Sequence, residues 1–330
     1  MFRALITLLM ACATLFVHTV AQAETTPKQK AVLVTGASSG LGRATAETLA
    51  AKGYFVYAGA RKDADLTELD AIENIQAIKL DVNQQDQIDA AVKTIREAGR
   101  GLYGLVNNAG VVVVSPLIDI NEEDFHFQMN VNIYGVYRIT KAFAPLIIES
   151  KGRISVIGSI SGTLSDATWG PYSMTKHAME AYADALADEM KQFNVNVSLI
   201  QPGAYRSNIG MSALDRMAKQ DQSAADSQFK EQMTESINWL SHFEKDAGDP
   251  TEVAEVVMKS LFDDHPKPRY MIVPSQEQAY WTISRAIERM VEQNSDQVTL
   301  PWLRVPAVPG ASRRTQNSLL AICASAALET

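Results

Sequence analysis

The chain has 330 residues, of which 46% are hydrophobic and 21% charged, and these values exclude a disordered, collagen-like or coiled-coil protein. Its formal charge is −8, from 30 Lys and Arg against 38 Asp and Glu, so it lacks the basic surface that binding to nucleic acid requires. Its two cysteines, Cys12 and Cys323, exclude a disulfide framework and argue against a zinc site built on cysteine pairs. No metal site and no nucleic-acid partner are predicted.

The first residues have the layout of a secretory signal peptide. Arg3 precedes an apolar run over 4–20, and Ala-Gln-Ala at 21–23 is a small-x-small cleavage site. We therefore expect residues 1–23 to be a signal peptide and the protein to be exported to a periplasm or a secretory lumen. Three alternatives stay open: an uncleaved anchor that associates with a membrane, a buried N-terminal helix, and a cytoplasmic protein whose true start lies near Lys30.

Strand and helix patterns then alternate along the chain. Short apolar runs indicate strands, and apolar residues three and four apart indicate helices. In chain order these patterns predict strand 31–34, helix 41–52, strands 54–60 and 75–80, helix 83–98, strand 102–106, a long helix within 121–150, strand 153–157, helix 170–193, strand 195–200, helix 252–262 and strand 270–273. This alternation predicts one α/β domain over 30–275, with a doubly wound parallel sheet covered by helices on both faces.

Two segments depart from this alternation. Residues 204–246 are polar and rich in Met and Gln, and we expect helical pieces outside the sheet that form a lid over a ligand site. Residues 276–330 follow the domain. Their first part predicts a helix through Trp281 and Met290, whereas 300–330 is a poorly specified tail.

A glycine-rich turn joins the first strand to the first helix. Its glycines permit a tight bend and a close approach of the backbone to a pyrophosphate, and the helix N-terminus supplies free N–H groups. The strand before it and the helix after it are the context that such a turn needs. The turn therefore predicts a dinucleotide site on a Rossmann-type domain with three layers, α/β/α. It reads Thr35, Gly36, Ala37, Ser38, Ser39, Gly40, Leu41, Gly42.

The Gly-x-x-x-Gly-x-Gly spacing of this turn resembles that of the short-chain dehydrogenase/reductase (SDR) family, and the resemblance extends over 31–275. Further matching motifs follow in the order of that family. They are Asp81-Val82, Asn107-Asn108-Ala109-Gly110, the Asn-Ile-Tyr-Gly that begins at Asn132, Ser159, the Tyr-x-x-x-Lys of Tyr172 and Lys176, and Pro202-Gly203. The pattern is most similar to hydroxysteroid- and retinol-dehydrogenase-like members.

This resemblance implies an oxidoreductase that interconverts an alcohol and a ketone or aldehyde by hydride transfer with a nicotinamide cofactor. It also implies a homo-oligomer, either a dimer or a tetramer, formed through the helices at 121–150 and 170–193. The implied cofactor contacts are Thr35, Gly36, Ser38, Ser39, Gly40, Leu41, Gly42, Asp81, Val82, Asn108, Ala109, Gly110, Tyr172, Lys176, Pro202, Gly203 and Ser207. Ser207 stands where the family usually has Thr near the carboxamide.

Tyr172 and Lys176 share one face of a helix because they are four residues apart. A free tyrosine has a pKa of about 10, too high for a base near neutral pH. We expect the ammonium of Lys176 to lower the pKa of Tyr172, which would make Tyr172 the general acid/base. The resemblance implies that Lys176 also binds the nicotinamide ribose.

Ser159 follows the fifth strand, at the edge of the sheet where ligands bind. We expect it to hydrogen-bond the substrate oxygen as charge develops there. The resemblance implies that Asn132 holds a water molecule of a proton relay. Taken singly, Ser159 could instead be a cap at the strand end, and Asn132 a buried polar residue bonded to backbone.

The end of the second strand bears on the choice of nicotinamide cofactor. An NAD enzyme would place Asp or Glu there to bond the ribose 2′-hydroxyl, whereas this strand ends at Ala60 and is followed by Arg61. Arg61 suits a 2′-phosphate through charge-assisted hydrogen bonds. We therefore predict a preference for NADP(H), and NAD(H) stays open because Asp63 follows.

The lid and its surroundings carry many apolar side chains, which favour a hydrophobic alcohol or carbonyl substrate. Alternatively, these side chains only pack the lid onto the body. They are Trp169, Met211, Leu214, Met217, Ile237, Trp239, Leu240 and Phe243. Two alternative functions are a non-catalytic NAD(P)-binding redox sensor and a sugar-nucleotide epimerase. The turn of such epimerases usually reads Gly-x-x-Gly-x-x-Gly, which this chain lacks.

Overall fold

A computed structural model of the chain describes residues 29–219 and 227–294. The predicted signal peptide, both cysteines, part of the predicted lid (220–226) and the tail over 300–330 lie outside the described residues. Among the helices that the structure describes, none is long and apolar enough to cross a membrane.

Seven parallel strands form one sheet in the described part of the chain, in the order β3-β2-β1-β4-β5-β6-β7. The strands are β1 (Ala31–Val34), β2 (Phe55–Ala60), β3 (Ile75–Lys79), β4 (Gly104–Asn107), β5 (Arg153–Ile157), β6 (Asn196–Pro202) and β7 (Arg269–Ile272). The chain runs outward from β1 to β3 and then returns to β4 on the other side of β1. This reversal opens a crevice at the carboxyl ends of β1 and β4, where ligands bind in such sheets.

Helices cover both faces of the sheet, which confirms the predicted doubly wound α/β fold. The α-helices are α1 (Gly40–Ala51), α2 (Asp63–Asp70), α3 (Gln85–Glu97), α4 (Glu122–Met129), α5 (Val136–Glu149), α6 (Gly170–Met190), α7 (Ile209–Lys219), α8 (Lys230–Asp246), α9 (Pro250–Phe262) and α10 (Gln276–Asn294). Successive residues of β1 enter opposite cores: Ala31 and Leu33 pack on one face of the sheet, and Val32 and Val34 on the other.

Two helical regions differ from the prediction. Helix α2 was not predicted, because Leu69 is its only buried side chain and one apolar residue gives no periodic pattern. The predicted long helix over 121–150 is divided into α4 and α5 by a π-helical segment over Asn130–Gly135. Such segments add a residue to the helical turn and occur often at functional sites.

The lid consists of α7 and α8 in its described part, and it packs on the body through a third apolar cluster. Buried members of this cluster come from the lid, from the loop after β4 and from the start of α6. They are Val112, Val114, Tyr172, Ala213, Met217, Met233 and Leu240. The alternative interpretation, that the apolar side chains only pack the lid onto the body, is therefore right for Met217, whose burial fastens the lid to the domain.

Candidate active site

A cavity of about 1120 Å³ lies along the carboxyl edge of the sheet, beneath the lid. Segments that follow six consecutive strands contribute to its wall. Each of these segments places at least one residue in the wall: Gly36 after β1, Arg61 after β2, Asp81 after β3, Asn108 after β4, Ser159 after β5 and Gly203 after β6. The cavity therefore occupies the crevice that the strand order creates.

Most of the predicted cofactor residues line this cavity. They are Gly36, Ser38, Ser39, Gly40, Leu41, Arg61, Asp81, Val82, Asn108, Ala109, Gly110, Tyr172, Lys176, Pro202, Gly203 and Ser207. Thr35 and Gly42 are exceptions, because both lie behind the wall. Both make contacts that support the wall, and their predicted contact with the cofactor stays a prediction.

The glycine-rich turn needs its glycines for two measurable reasons. Gly36 and Gly40 have φ angles of +65° and +54°, in the left-handed region that favours glycine. A Cβ at Gly36 would lie 2.9 Å from Cα of Ala109, and one at Gly40 would lie 2.6 Å from Cβ of Ser207. Helix α1 begins at Gly40 without a side-chain cap, so its first N–H groups can bind an anion. This cradle fits a pyrophosphate.

Thr35 holds the turn against the segment that follows β4. Its Oγ1 accepts hydrogen bonds from the backbone N–H of Asn108 at 3.0 Å and of Ala109 at 3.1 Å. The Asn108 side chain donates in return to the carbonyl oxygens of Thr35 at 2.9 Å and Gly36 at 3.1 Å. Gly42 completes the junction, since a Cβ there would lie 2.3 Å from O of Gly36. These contacts fix the two sides of the crevice relative to each other.

Ser159, Tyr172 and Lys176 meet at one end of the cavity. The hydroxyls of Ser159 and Tyr172 share a hydrogen bond, and Oγ of Ser159 also accepts from the backbone N–H of Ser161 at 3.0 Å. Ser159 thus caps the end of the strand and also contacts Tyr172. Lys176 Nζ lies 5.6 Å from the centre of the Tyr172 ring and donates to O of Ile157 at 2.9 Å.

Burial outweighs the other influences on these two groups. It raises the pKa of Tyr172 to about 12, although the hydrogen bond from Ser159 acts in the lowering direction. Burial also lowers the pKa of Lys176 to about 8, because a low-dielectric site disfavours the charged form of each group. The expectation that the ammonium of Lys176 lowers the pKa of Tyr172 is wrong, because burial raises that pKa above its ordinary value. Tyr172 holds its proton at neutral pH.

Asn132 lies in the π-helical segment and supports the site from outside the cavity wall. Its Oδ1 accepts from N–H of Val111 at 2.8 Å, and its Nδ2 donates to O of Val111 at 2.9 Å and to Oγ1 of Thr175 at 3.0 Å. Thr175 Oγ1 donates in turn to O of Tyr172 at 2.7 Å. The side chain of Asn132 is thus a buried polar group bonded to backbone, as the alternative interpretation expects, and it fixes the helix that carries Tyr172. Its role in holding a water molecule of a proton relay stays a prediction.

Aromatic side chains line the end of the cavity under the lid. The Trp169 ring lies edge-on to Tyr172 at 6.2 Å and to Trp239 at 5.1 Å, and Trp239 lies 4.9 Å from Phe243. All three lid-side rings, together with Leu240, line the cavity. The lid therefore supplies apolar surface to the cavity as well as packing on the body.

An ion pair also fastens the lid. Arg216 of α7 donates through Nε to Oδ1 of Asp124 on α4 at 2.5 Å, and its guanidinium carbon lies 3.9 Å above the ring of Phe127. Asp124 is 1% exposed, so solvent screens this pair less than it screens a surface pair.

We expect Asp124→Asn to lower the free energy of unfolding by about 2 kcal/mol, because it replaces a buried carboxylate that pairs with Arg216. Urea denaturation measures this loss. The matched control is Asp63→Asn, which changes the exposed pair between Asp63 and Lys79 and should cost less than about 1 kcal/mol. Equal losses in the two variants would contradict the fastening role of Asp124.

Among the cavity residues that were not predicted, two come from α10. Gln278 and Trp281 line the cavity, although the sequence pattern placed their helix after the domain. No motif marks them, since their approach depends on how α10 packs against the loop after β6. Ser161, which lies two residues after Ser159, also lines the cavity.

Comparison with known proteins agrees with this geometry. The family model for short chain dehydrogenases matches residues 30–218, more than half of the chain. The chain belongs to the short-chain dehydrogenase family. The match spans the glycine-rich turn and the Tyr172 and Lys176 pair, and it ends within α7. The described part of this short-chain dehydrogenase therefore includes α8, α9, β7 and α10 beyond the family match.

Individual relatives cover different shares of the chain. The mitochondrial D-beta-hydroxybutyrate dehydrogenase of Rattus norvegicus is 37% identical over 186 residues, which are 53% of this chain and 54% of that protein. The match therefore spans about half the length of that relative. Retinol dehydrogenase 7 of Mus musculus is 30% identical over 256 residues, 74% of this chain and 80% of that protein.

A solved structure is similar over nearly its whole length. It is an alcohol dehydrogenase from the archaeon Thermococcus sibiricus, complexed with 5-hydroxy-NADP. It is 26% identical, with a TM-score of 0.61, and the alignment covers 74% of this chain and 96% of that one.

Proposed function

We propose that this short-chain dehydrogenase is an NAD(P)-dependent oxidoreductase that interconverts a hydrophobic alcohol and its ketone or aldehyde. The observation that carries the proposal is the meeting of Ser159, Tyr172 and Lys176 at one end of a cavity whose other end is a pyrophosphate cradle. A redox sensor would need the cradle alone. The names of the relatives, which include a hydroxybutyrate dehydrogenase and a retinol dehydrogenase, support the same chemistry.

In this proposal each residue has one task. A bound nicotinamide supplies or accepts the hydride. Tyr172 is protonated at neutral pH and gives its proton to the substrate oxygen during reduction. Ser159 donates a hydrogen bond to the same oxygen as negative charge develops. Lys176, with a pKa lowered to about 8 by burial, is suited to return a proton to Tyr172.

The residues that follow β2 support a preference for NADP(H) over NAD(H). Arg61 lines the cavity after β2 and forms no ion pair with any residue that the structure describes. Asp63, whose carboxylate kept NAD open, is paired instead with Nζ of Lys79 at 2.6 Å. The guanidinium of Arg61 can therefore bind a 2′-phosphate, whereas the carboxylate of Asp63 is already paired with Lys79. We therefore propose a preference for NADP(H).

We expect Arg61→Ala to reduce the ratio of kcat/KM for NADPH over NADH by about tenfold to a hundredfold, the value of a charged hydrogen bond. Steady-state kinetics with both cofactors measure the ratio. Lys93→Ala, a change to an exposed residue of α3, should leave it unaltered. An unaltered ratio in Arg61→Ala would show that another group selects the cofactor.

The aromatic surface under the lid supports a hydrophobic substrate. Rings at Trp169, Trp239 and Phe243 offer flat apolar contacts next to Tyr172. A panel of steroid, retinal, aromatic and medium-chain carbonyl compounds, followed by NADPH absorbance, tests this proposal. Turnover of small polar carbonyls alone would contradict the substrate class. Cofactor binding without turnover of any compound would favour the redox sensor.

Self-association is proposed through the face that the π-helical segment and α5 present. Tyr134 and Tyr137 on this face are 57% and 47% exposed, and large exposed aromatic residues are enriched at protein interfaces. A dimer or tetramer measured by light scattering would support the proposal, and a monomer would contradict it.

A further inference from the structure

Helix α10 lies outside the region matched by the family model, yet it reaches the reacting end of the cavity. Ser159 follows β5 and Pro202 ends β6, and these two strands are neighbours in the sheet. The loop of residues 202–204 is therefore adjacent to the catalytic group. Gln278 of α10 and the loop residues line the same cavity.

One hydrogen bond joins α10 to this loop. Oε1 of Gln278 accepts from the backbone N–H of Ala204 at 3.0 Å. The approach is close, since a Cβ at Gly203 would lie 2.3 Å from Oε1 of Gln278. The other side of the loop is held by the N–H of Gly203, which donates to O of Ile272 in β7 at 2.8 Å.

The start of α10 holds Gln278 in place. The backbone N–H of Gln278 donates to Oγ of Ser275 at 3.2 Å, and its carbonyl oxygen accepts from Oγ1 of Thr282 at 2.7 Å. Because the N–H of Ala204 can only donate, the amide oxygen of Gln278 must face it. The amide nitrogen then points away from that bond, and it has no hydrogen-bond partner among the described residues.

We propose that Gln278 is a positioning residue, which fixes the loop 202–204 against the reacting end of the cavity and so makes α10 part of the dinucleotide site. The proposal rests on the proposed function, since that loop forms one wall of the site for the reacting part of the cofactor. Loss of the acceptor frees the N–H of Ala204 and lets the loop leave the position that the cofactor needs. Gln278 acts through the loop and takes no part in proton transfer.

The test compares three variants of the full chain. Gln278→Leu removes the acceptor, Gln278→Glu keeps an oxygen acceptor of the same length, and Gln276→Leu makes the first change at an exposed position of the same helix. Two quantities are measured without substrate: the Kd of NADPH by fluorescence titration, and amide hydrogen exchange in the peptide that contains Ala204. Thermal unfolding shows whether each variant is folded.

We expect Gln278→Leu to weaken NADPH binding by about tenfold, which is the loss of one well-placed hydrogen bond, and to speed exchange at Ala204. The Kd of NADPH for Gln278→Glu should stay within about threefold of the wild-type value. The Kd for Gln276→Leu should equal the wild-type value. Wild-type binding and exchange in Gln278→Leu would overturn the proposal, and so would equal losses in Gln278→Leu and Gln278→Glu. A wild-type chain that binds neither NADPH nor NADH would instead contradict the proposed function, and this role with it.

Discussion

The Tyr172→Phe variant is expected to lose turnover by about a hundredfold to ten-thousandfold, the usual contribution of a positioned acid or base, while it still binds NADPH. The substitution removes only the hydroxyl that is bonded to Ser159. The ring remains to pack against Trp169, so the fold and the cradle should be preserved. Turnover of a carbonyl substrate and fluorescence titration with NADPH measure the two properties separately.

Tyr182→Phe is the matched control for this variant. Tyr182 lies on the same helix, and its hydroxyl is also hydrogen-bonded, to Thr140, but it does not line the cavity. We expect its turnover to stay near that of the wild type. Wild-type turnover in Tyr172→Phe with cofactor bound would mean that another group transfers the proton.

The second large effect is expected at the glycine-rich turn. Gly36→Ala should lower the free energy of unfolding by about 1–3 kcal/mol more than Gly99→Ala does. The two glycines have nearly equal φ angles, +65° and +63°, so both variants carry the same left-handed strain. They differ in space: the new Cβ at Gly36 meets Cα of Ala109 at 2.9 Å, whereas the one at Gly99 meets no atom within 4 Å.

Gly36→Ala and Gly99→Ala are also expected to differ in how tightly they bind NADPH. Gly36→Ala must separate the turn from Ala109, and both residues line the cavity, so the Kd of NADPH should rise. Gly99→Ala should leave that Kd unaltered, because Gly99 lies after the end of α3 and does not line the cavity. Urea denaturation and fluorescence titration measure the two effects. Equal free-energy losses in the two variants would show that the turn tolerates a side chain.

Much of the fold and of the site could be predicted because its signals are local in the sequence. The apolar run of β1 leads directly into a turn whose glycines are fixed by backbone geometry. Tyr172 and Lys176 share a face because the helix sets their spacing. Ser159 and Asn108 reach the same edge because the carboxyl ends of parallel strands meet there.

Other features depend on contacts between distant segments, and the sequence pattern does not contain them. Gln278 is 74 residues from Ala204, and only the packing of α10 brings the two together. The pKa of Tyr172 depends on how completely it is buried, and neither the burial nor the position of Lys176 Nζ against Ile157 follows from spacing. The role of Asn132 likewise depends on Thr175, 43 residues away.

The π-helical segment has a consequence for how the chain tolerates changes in length. The segment forms wider turns than an α-helix and so holds one residue more than α4 and α5 would need between them. Deleting one residue from Asn130–Gly135 would therefore let a regular α-helix run through with α4 and α5 close to their present phase. The wide turn that places Asn132 against Val111 and Thr175 would be lost, so the effect would fall on the helix that carries Tyr172. A deletion within α4 would instead turn the residues before it by about 100° relative to α5, which would move Asp124 away from Arg216 and release the lid.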